Sequence, residues 1–349
     1  MFKLVQIIII AVLIQETTAS DLKIALTFHG LGEMFNTSEQ YREFIEFDPD
    51  NKKYVDILSS EFGFDVHELM LKKNSEKQNE SQFKLENTIS QTLIYLSLKK
   101  ACPDILDHIS FVTAHSYGEN IIPLVEDLFS FKAYAKFIHE IIKIENEWEK
   151  QVYKNCWLDV IRNVPQETVE QEVNQYLLEN PENYVTIAGS LRKDYTSIVG
   201  YKEAVKYLTK KLNKPGYTPE KPYMRNIYMH SEIMRPIIKT RKAILESLIE
   251  KRRLAIPVIN DHDGNISKTI DEFLIETTEN CYLTGKSGMS KQVLIKEDVN
   301  IVIIIGGREE HSFIEEIGGK SKNIRFIKLN TPQAIYSIID LLSHNSDYS

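Results

Sequence analysis

Ser116 sits in Ala114-His115-Ser116-Tyr117-Gly118, directly after the apolar run His108-Ile109-Ser110-Phe111-Val112-Thr113. A serine between small residues two positions away on either side, placed between a strand and a helix, fits a nucleophile elbow. That tight, strained turn pushes the hydroxyl out of a sheet toward substrate. Upstream, His29-Gly30-Leu31-Gly32 follows another apolar run, Lys23 to Phe28. A backbone nearly free of side chains just past a strand brings its amides close to a substrate oxygen. His29, Gly30, Leu31 and Gly32, with the amide of Tyr117, are therefore expected to bind substrate and a developing oxyanion.

Serine chemistry also needs a base to take the hydroxyl proton and an acid to orient that base. His311, after the apolar run Asn300 to Ile305 and the loop Gly306 to Glu310, is the expected base, with His344 in reserve. Asp261 or Asp263, at the end of the run Leu254 to Ile259, is the expected acid. A carboxylate there would accept the imidazole's second N–H and fix its tautomer. Serine catalysis of this kind requires no cofactor and no metal. His67-Glu68, read as part of a strand, would point to opposite faces and share no ion.

The elements that must position these groups alternate. Lys23 to Phe28, Phe64 to Met70 and His108 to Thr113 read as strands, separated by helical patterns over Tyr54 to Phe62 and Leu85 to Lys100. A helix is expected over Asn120 to Phe129, where Pro123 falls in the first turn and removes no intrahelical bond. From Phe131 the pattern is long, amphipathic and helical, with a strand over Tyr184 to Ala188 and further helices over Tyr201 to Leu212 and Met224 to Arg252. Strands resume at 254–259, 300–305 and 324–329, and a helix from Pro332 to Leu342 closes the chain. Such alternation predicts an α/β fold with a mostly parallel sheet, helices on both faces and an inserted helical cap. The expected division is 1–20 as a signal peptide, 21–130 and 253–349 as the two parts of the core, and 131–252 as the cap.

Residues 1–20 read as a signal peptide: Lys3, an apolar run from Leu4 to Leu13 broken by Gln6, then small residues at Thr18-Ala19-Ser20. That run is short for a bilayer span, and no later segment matches it. The chain is therefore expected to be exported and free of stable membrane insertion. A net charge of −8 without a basic stripe argues against nucleic acid as a partner. Cys102, Cys156 and Cys281 lack metal-ligand spacing, and Asn36, Asn79 and Asn265 begin glycosylation tripeptides.

Leu26 to Glu33 (LTFHGLGE) and Phe111 to Asn120 (FVTAHSYGEN) resemble the α/β-hydrolase family of secreted lipases, esterases and thioesterases. The resemblance implies a Ser, Asp, His order along the chain, met by Ser116, Asp261 or Asp263, and His311. It implies an exported serine hydrolase cleaving an ester or thioester of a small-molecule or lipid-like acyl substrate, in a secreted, periplasmic or lumenal setting. A second resemblance, carried by Met224-Arg225-Asn226-Ile227-Tyr228-Met229 and Gly306 to His311, is to the TraB/Tiki-type family. It implies a metal-dependent protease with His29, Glu68, Arg225 and His311 as the site. A non-catalytic exported α/β protein is the third reading.

Overall fold

The computed structural model describes residues 22–30, 38–72, 80–103, 105–152, 156–213, 224–225, 228–306 and 324–346. Residues 1–20, with the expected signal peptide, lie outside this set. Two sheets are present. The larger is built from β1 (Ile24–Phe28), β2 (Ile109–Ala114), β7 (Val258–Ile259), β8 (Ile266–Ser267), β10 (Ile301–Ile305) and β11 (Arg325–Leu329). Its order is β11-β10-β1-β2-β7-β8. Every pairing is parallel except β7 with β8.

The mostly parallel sheet with helices on both faces follows from the runs themselves. All five residues of β1 and of β10 are buried, as expected of strands covered on both sides. Alternate residues separate cleanly between the faces. Leu26, Phe28, Val112, Ile303 and Ile305 enter the main core with helix Glu80–Ala101. Ala25, Phe111, Val302 and Ile304 pack with Leu294 of helix Ser287–Lys296.

The chain between β2 and β7 is an insertion. It opens with the amphipathic helix Phe131–Val152 and then forms a smaller sheet in the order β6-β3-β5-β4-β9. These strands are β3 (Cys156–Arg162), β4 (Val185–Arg192), β5 (Tyr195–Tyr201), β6 (Met224–Arg225) and β9 (Gly285–Lys286). Helices Gln166–Glu179 and Lys202–Leu212 close over a core of their own, with Ile161, Val173, Ile198 and Leu208. From β3 to β6 the element order is βαββαβ, a ferredoxin-like unit. The insertion thus carries four strands of this five-stranded sheet besides its helices. The small sheet is tied back to the core by β9, which pairs with β4.

Local differences from the sequence reading have local causes. Residues 64–70 were expected to be a strand, but Val66–Leu71 is a helix because the Asp65 side chain accepts from the amide of Glu68 at 3.0 Å and caps it. His67 Nδ1 instead meets the Tyr41 hydroxyl at 2.6 Å, and Glu68 pairs with Lys72 at 3.1 Å. Over 120–129 the single helix is replaced by a 3-10 turn, Ser116–Ile121, and the short helix Ile122–Val125. Over 224–252, β6 is followed by a loop, a 3-10 turn at Glu232–Ile237 and helix Ile238–Leu248. No described helix is long and apolar enough to cross a membrane. Cys102, Cys156 and Cys281 form no disulfide.

Helices Glu80–Ala101, Phe131–Val152 and Ile238–Leu248 share a buried ionic cluster. Lys84 Nζ is 3.2 Å from Glu145 and 3.1 Å from Glu149, and Arg241 Nη1 bonds Glu145. Burial disfavours the Lys84 ammonium, but the two carboxylates outweigh it and hold its pKa above the ordinary value. Removing one partner would leave a buried charge exposed to low dielectric without compensation. Lys84→Met is therefore expected to lower unfolding free energy by about 3–5 kcal/mol, read as a reduced urea midpoint. An unchanged midpoint would contradict this account.

Candidate active site

The C-terminal ends of β1 and β2 lie side by side, with Phe28 opposite Ala114 in register. The amide of His115 donates to the Phe28 carbonyl at 2.8 Å, which extends the pairing one residue past the strand. The chain then turns. Ser116 adopts φ +54, a left-handed conformation uncommon for a residue with a Cβ. It also starts the 3-10 turn Ser116–Ile121. Gly118 makes this turn possible, because a Cβ there would stand 2.5 Å from the His29 carbonyl oxygen. Gly30 faces the same point from the other strand: a Cβ would sit 3.0 Å from Ser116 Cβ and 3.3 Å from the His115 ring.

Helix Glu80–Ala101 clamps the β1 loop through a buried polar stripe. Gln91 Oε1 accepts from the His29 amide at 3.0 Å, and its Nε2 donates to the His29 carbonyl at 2.9 Å. Asn87 Nδ2 donates to the Gly30 carbonyl at 3.1 Å. These bonds satisfy a loop that would otherwise carry buried orphan groups. Because Gln91 occupies the His29 amide, that N–H is not available to an oxyanion. The amide of Tyr117 follows Ser116 at the start of the turn, with Gly30 opposite.

The hydroxyl of Ser116 donates to His230 Nε2 at 2.6 Å. His230 lies in the loop between β6 and the Glu232–Ile237 turn, itself at φ +61. Its backbone amide donates to the Cys281 carbonyl at 2.7 Å, and its Nδ1 donates to the Leu283 carbonyl at 2.8 Å. A carbonyl only accepts, so Nδ1 carries the proton and Nε2 presents a lone pair to Ser116. Burial, reinforced by the nearby positive edge of His115, lowers the His230 pKa to about 4, so the ring is a neutral base.

The expected acid meets a different histidine. Asp261, buried at the end of β7, bonds His115 Nδ1 and not His230. Ser290 Oγ donates to the other Asp261 oxygen at 3.4 Å. Asp263 turns away: its Oδ1 accepts from the Asn265 amide at 2.8 Å. With His262 and Glu276 it brings three donor atoms within 4.8 Å of one another, the one such group among the described residues. There His262 Nε2 lies 3.0 Å from Glu276, and all three side chains are partly exposed. His311, Leu31 and Gly32 lie outside the described residues. Arg225 lies on β6 at the edge of the small sheet, and Glu68 is on an outer helix paired with Lys72. The structure therefore does not bring His29, Glu68 and Arg225 to one metal site.

More than nine-tenths of this chain superposes on known structures. A malonyl transacylase solved with the acyl-carrier protein of a type II polyketide synthase matches with a TM-score of 0.77 and 16% identity, over 91% of this chain and 99% of that one. The malonyl-CoA:acyl carrier protein transacylase of Helicobacter pylori matches with a TM-score of 0.73 and 16% identity, over 93% and 99%. That of Bartonella henselae matches with a TM-score of 0.77 and 14% identity, over 92% and 100%. The fold is that of the malonyl transacylases. No family model matches the sequence, and no curated protein is detectably similar to it.

These matches correct the sequence reading in several respects. The chain follows transacylases along its length, not a secreted α/β-hydrolase-type lipase, esterase or thioesterase, and not the TraB/Tiki-type family. The exported ester hydrolase, the metal-dependent protease and the non-catalytic exported protein are all set aside. Export, read from residues 1–20, and a lipid-like substrate, implied by the hydrolase resemblance, are set aside as well, because the solved neighbours are malonyl transacylases. An elbow serine beside a His-Gly loop is common ground between folds. The histidine that meets Ser116, His230, comes from the inserted segment, behind a ferredoxin-like unit.

Two buried neutral histidines give the fold a pH signature. Burial holds His230 near pKa 4 and His29 near 3, the latter with help from His115, Lys291 and Lys328. Unfolding returns both toward 6.5, so the unfolded chain binds more protons between about pH 4 and 6.5. The histidine contribution to stability is therefore expected to fall as pH drops through that window, opposed by buried Glu119 and Glu126, whose pKa values burial raises. Urea denaturation from pH 7.5 to 4.5 checks this, and His29→Gln should flatten the slope. A slope unaltered by that substitution would sink the assignment.

Proposed function

We propose that this protein is an acyltransferase that carries acyl groups on Ser116 between two thiols, with His230 as base. The observation that supports it most is the left-handed Ser116 with its hydroxyl 2.6 Å from a neutral, carbonyl-anchored imidazole. The Ser116 oxygen attacks a thioester carbonyl as its proton passes to His230 Nε2. A C–O bond forms, and the oxyanion is received by the Tyr117 amide and the Gly30 loop. The C–S bond then breaks, and His230 returns the proton to the departing thiolate. In the second half an acceptor thiol gives its proton to His230 as its sulfur bonds the acyl carbon, the Ser116 C–O bond breaks, and His230 returns the proton to the Ser116 oxygen.

A dyad without a carboxylate suits such a leaving group. A thiol ionises near pKa 8.5, so it departs with less proton assistance than an alcohol or amine. The solved neighbours are named for moving malonyl groups from coenzyme A to acyl carrier protein. Acyl thioesters of coenzyme A and of a carrier protein are accordingly the proposed donor and acceptor.

The protein, mixed with malonyl-CoA or acetyl-CoA, is expected to gain one acyl group by intact mass, discharged when acyl carrier protein is added. Ser116→Ala should give no adduct, and His230→Ala should slow acylation by about 10²–10⁴-fold. The rate should stay on its plateau down to roughly pH 5 and fall only toward the His230 pKa of about 4. Folded wild type that gains no acyl group from either donor would overturn the proposal.

A further inference from the structure

The Ser116–His230 dyad leaves one buried histidine–carboxylate pair without a role. Asp261 bonds Nδ1 of His115, the residue next to the nucleophile. The His115 ring lies parallel to that of His230, with centroids 6.5 Å apart and an interplanar angle of 11°. Two glycines leave room for it in this place. A Cβ at Gly285 would stand 3.1 Å from His115 Cε1 and 3.5 Å from Asp261 Oδ2, and one at Gly30 would stand 3.3 Å from His115 Cδ2. The pair therefore occupies a slot between the β1 loop and β9 where Gly30 and Gly285 put no side chain in its way.

We infer that Asp261 and His115 form a positioning pair, in which the carboxylate holds the His115 imidazole as a cation stacked beside His230 and so keeps His230 neutral and aimed at Ser116. This rests on His230 being the base named above. A carboxylate buried in a protein interior is strongly disfavoured unless a positive partner meets it. His115 is that partner, and its Nδ1–H is directed into Asp261. The cation then lies nearer His230 than the carboxylate does, so its repulsion outweighs the attraction of Asp261. The lowered His230 pKa agrees, with His115 ranking behind burial and ahead of Asp261 among its causes. Other ionisable groups that interact with the pair are His29 from the β1 loop, which Lys291 and Lys328 also face, and buried Glu119 from the Ser116–Ile121 turn. None of these is altered by the substitutions below.

The test is an NMR titration of His230 in the full-length protein, beside acylation rate against pH. Asp261→Asn removes the anion that holds His115 charged, and His115→Gln removes the cation itself. Both are expected to raise the His230 titration by about one unit or more, with the acidic limb of the rate moving up by the same amount. Asp261→Glu should restore part of the wild-type value. A His230 titration identical in wild type and both variants would overturn the inference, as would loss of fold in both. Loss of fold would assign the pair to core stability instead. The titration is read without any acyl donor, so it stands even if no acyl-enzyme forms. An intact acyl-enzyme with an unmoved titration would fail this inference alone.

Discussion

Two parallel strand ends come together at the site, and the rest of the structure depends on how close they are. A methyl group at Gly118 would lie 2.5 Å from the His29 carbonyl, so the turn after β2 can sit against the loop after β1 only because no side chain intervenes. That contact forces Ser116 into the left-handed region and lifts its hydroxyl above the sheet. The strain is carried by a packed surround. Gln91 and Asn87 hold the β1 loop by both its amide and its carbonyls, and the buried residues Tyr117 to Ile121 seat the turn in the core.

The histidine that completes the dyad belongs to a different part of the chain. His230 is delivered by the insertion after β6, and the carbonyls of Cys281 and Leu283 fix it from a third segment. A neutral carbonyl behind the imidazole sets its tautomer without adding charge. Asp261, the carboxylate that acts on it among the described residues, is engaged by His115. In the proposed mechanism the site separates two tasks that a three-residue triad combines: orientation of the base by a carbonyl, and electrostatics by a neighbouring ion pair.

Much of this was legible in the sequence, and what was missed has a physical explanation. The strands β1, β2, β10 and β11 are short apolar runs, and the Ser116 elbow and the His29-Gly30 loop follow them directly, so local rules suffice. Asp261 was marked by its place at a strand end, but the sequence does not show which of two histidines it meets. His230 carries no local signature. Its flanks, Met229 and Ser231, read as the interior of a helix, while its conformation is imposed by carbonyls about fifty residues downstream. The βαββαβ unit was obscured because β3 and β6 are flanked by strongly amphipathic helices, whose period dominates a sequence window. Residues 66–71 were misread because a carboxylate cap outweighed an apparent alternation.

The strand order also constrains how the chain is made. β1 is the first strand synthesised, yet it lies mid-sheet between β2 and β10, and the amide of Lys23 bonds Asn300 from 277 positions away. One edge of β1 therefore stays open until nearly the whole polypeptide has left the ribosome. The ferredoxin-like unit, whose contacts are mostly its own, has no such wait. A nascent chain in this topology holds an exposed apolar strand through most of translation, the kind of segment that chaperones recognise and that aggregates when they are absent.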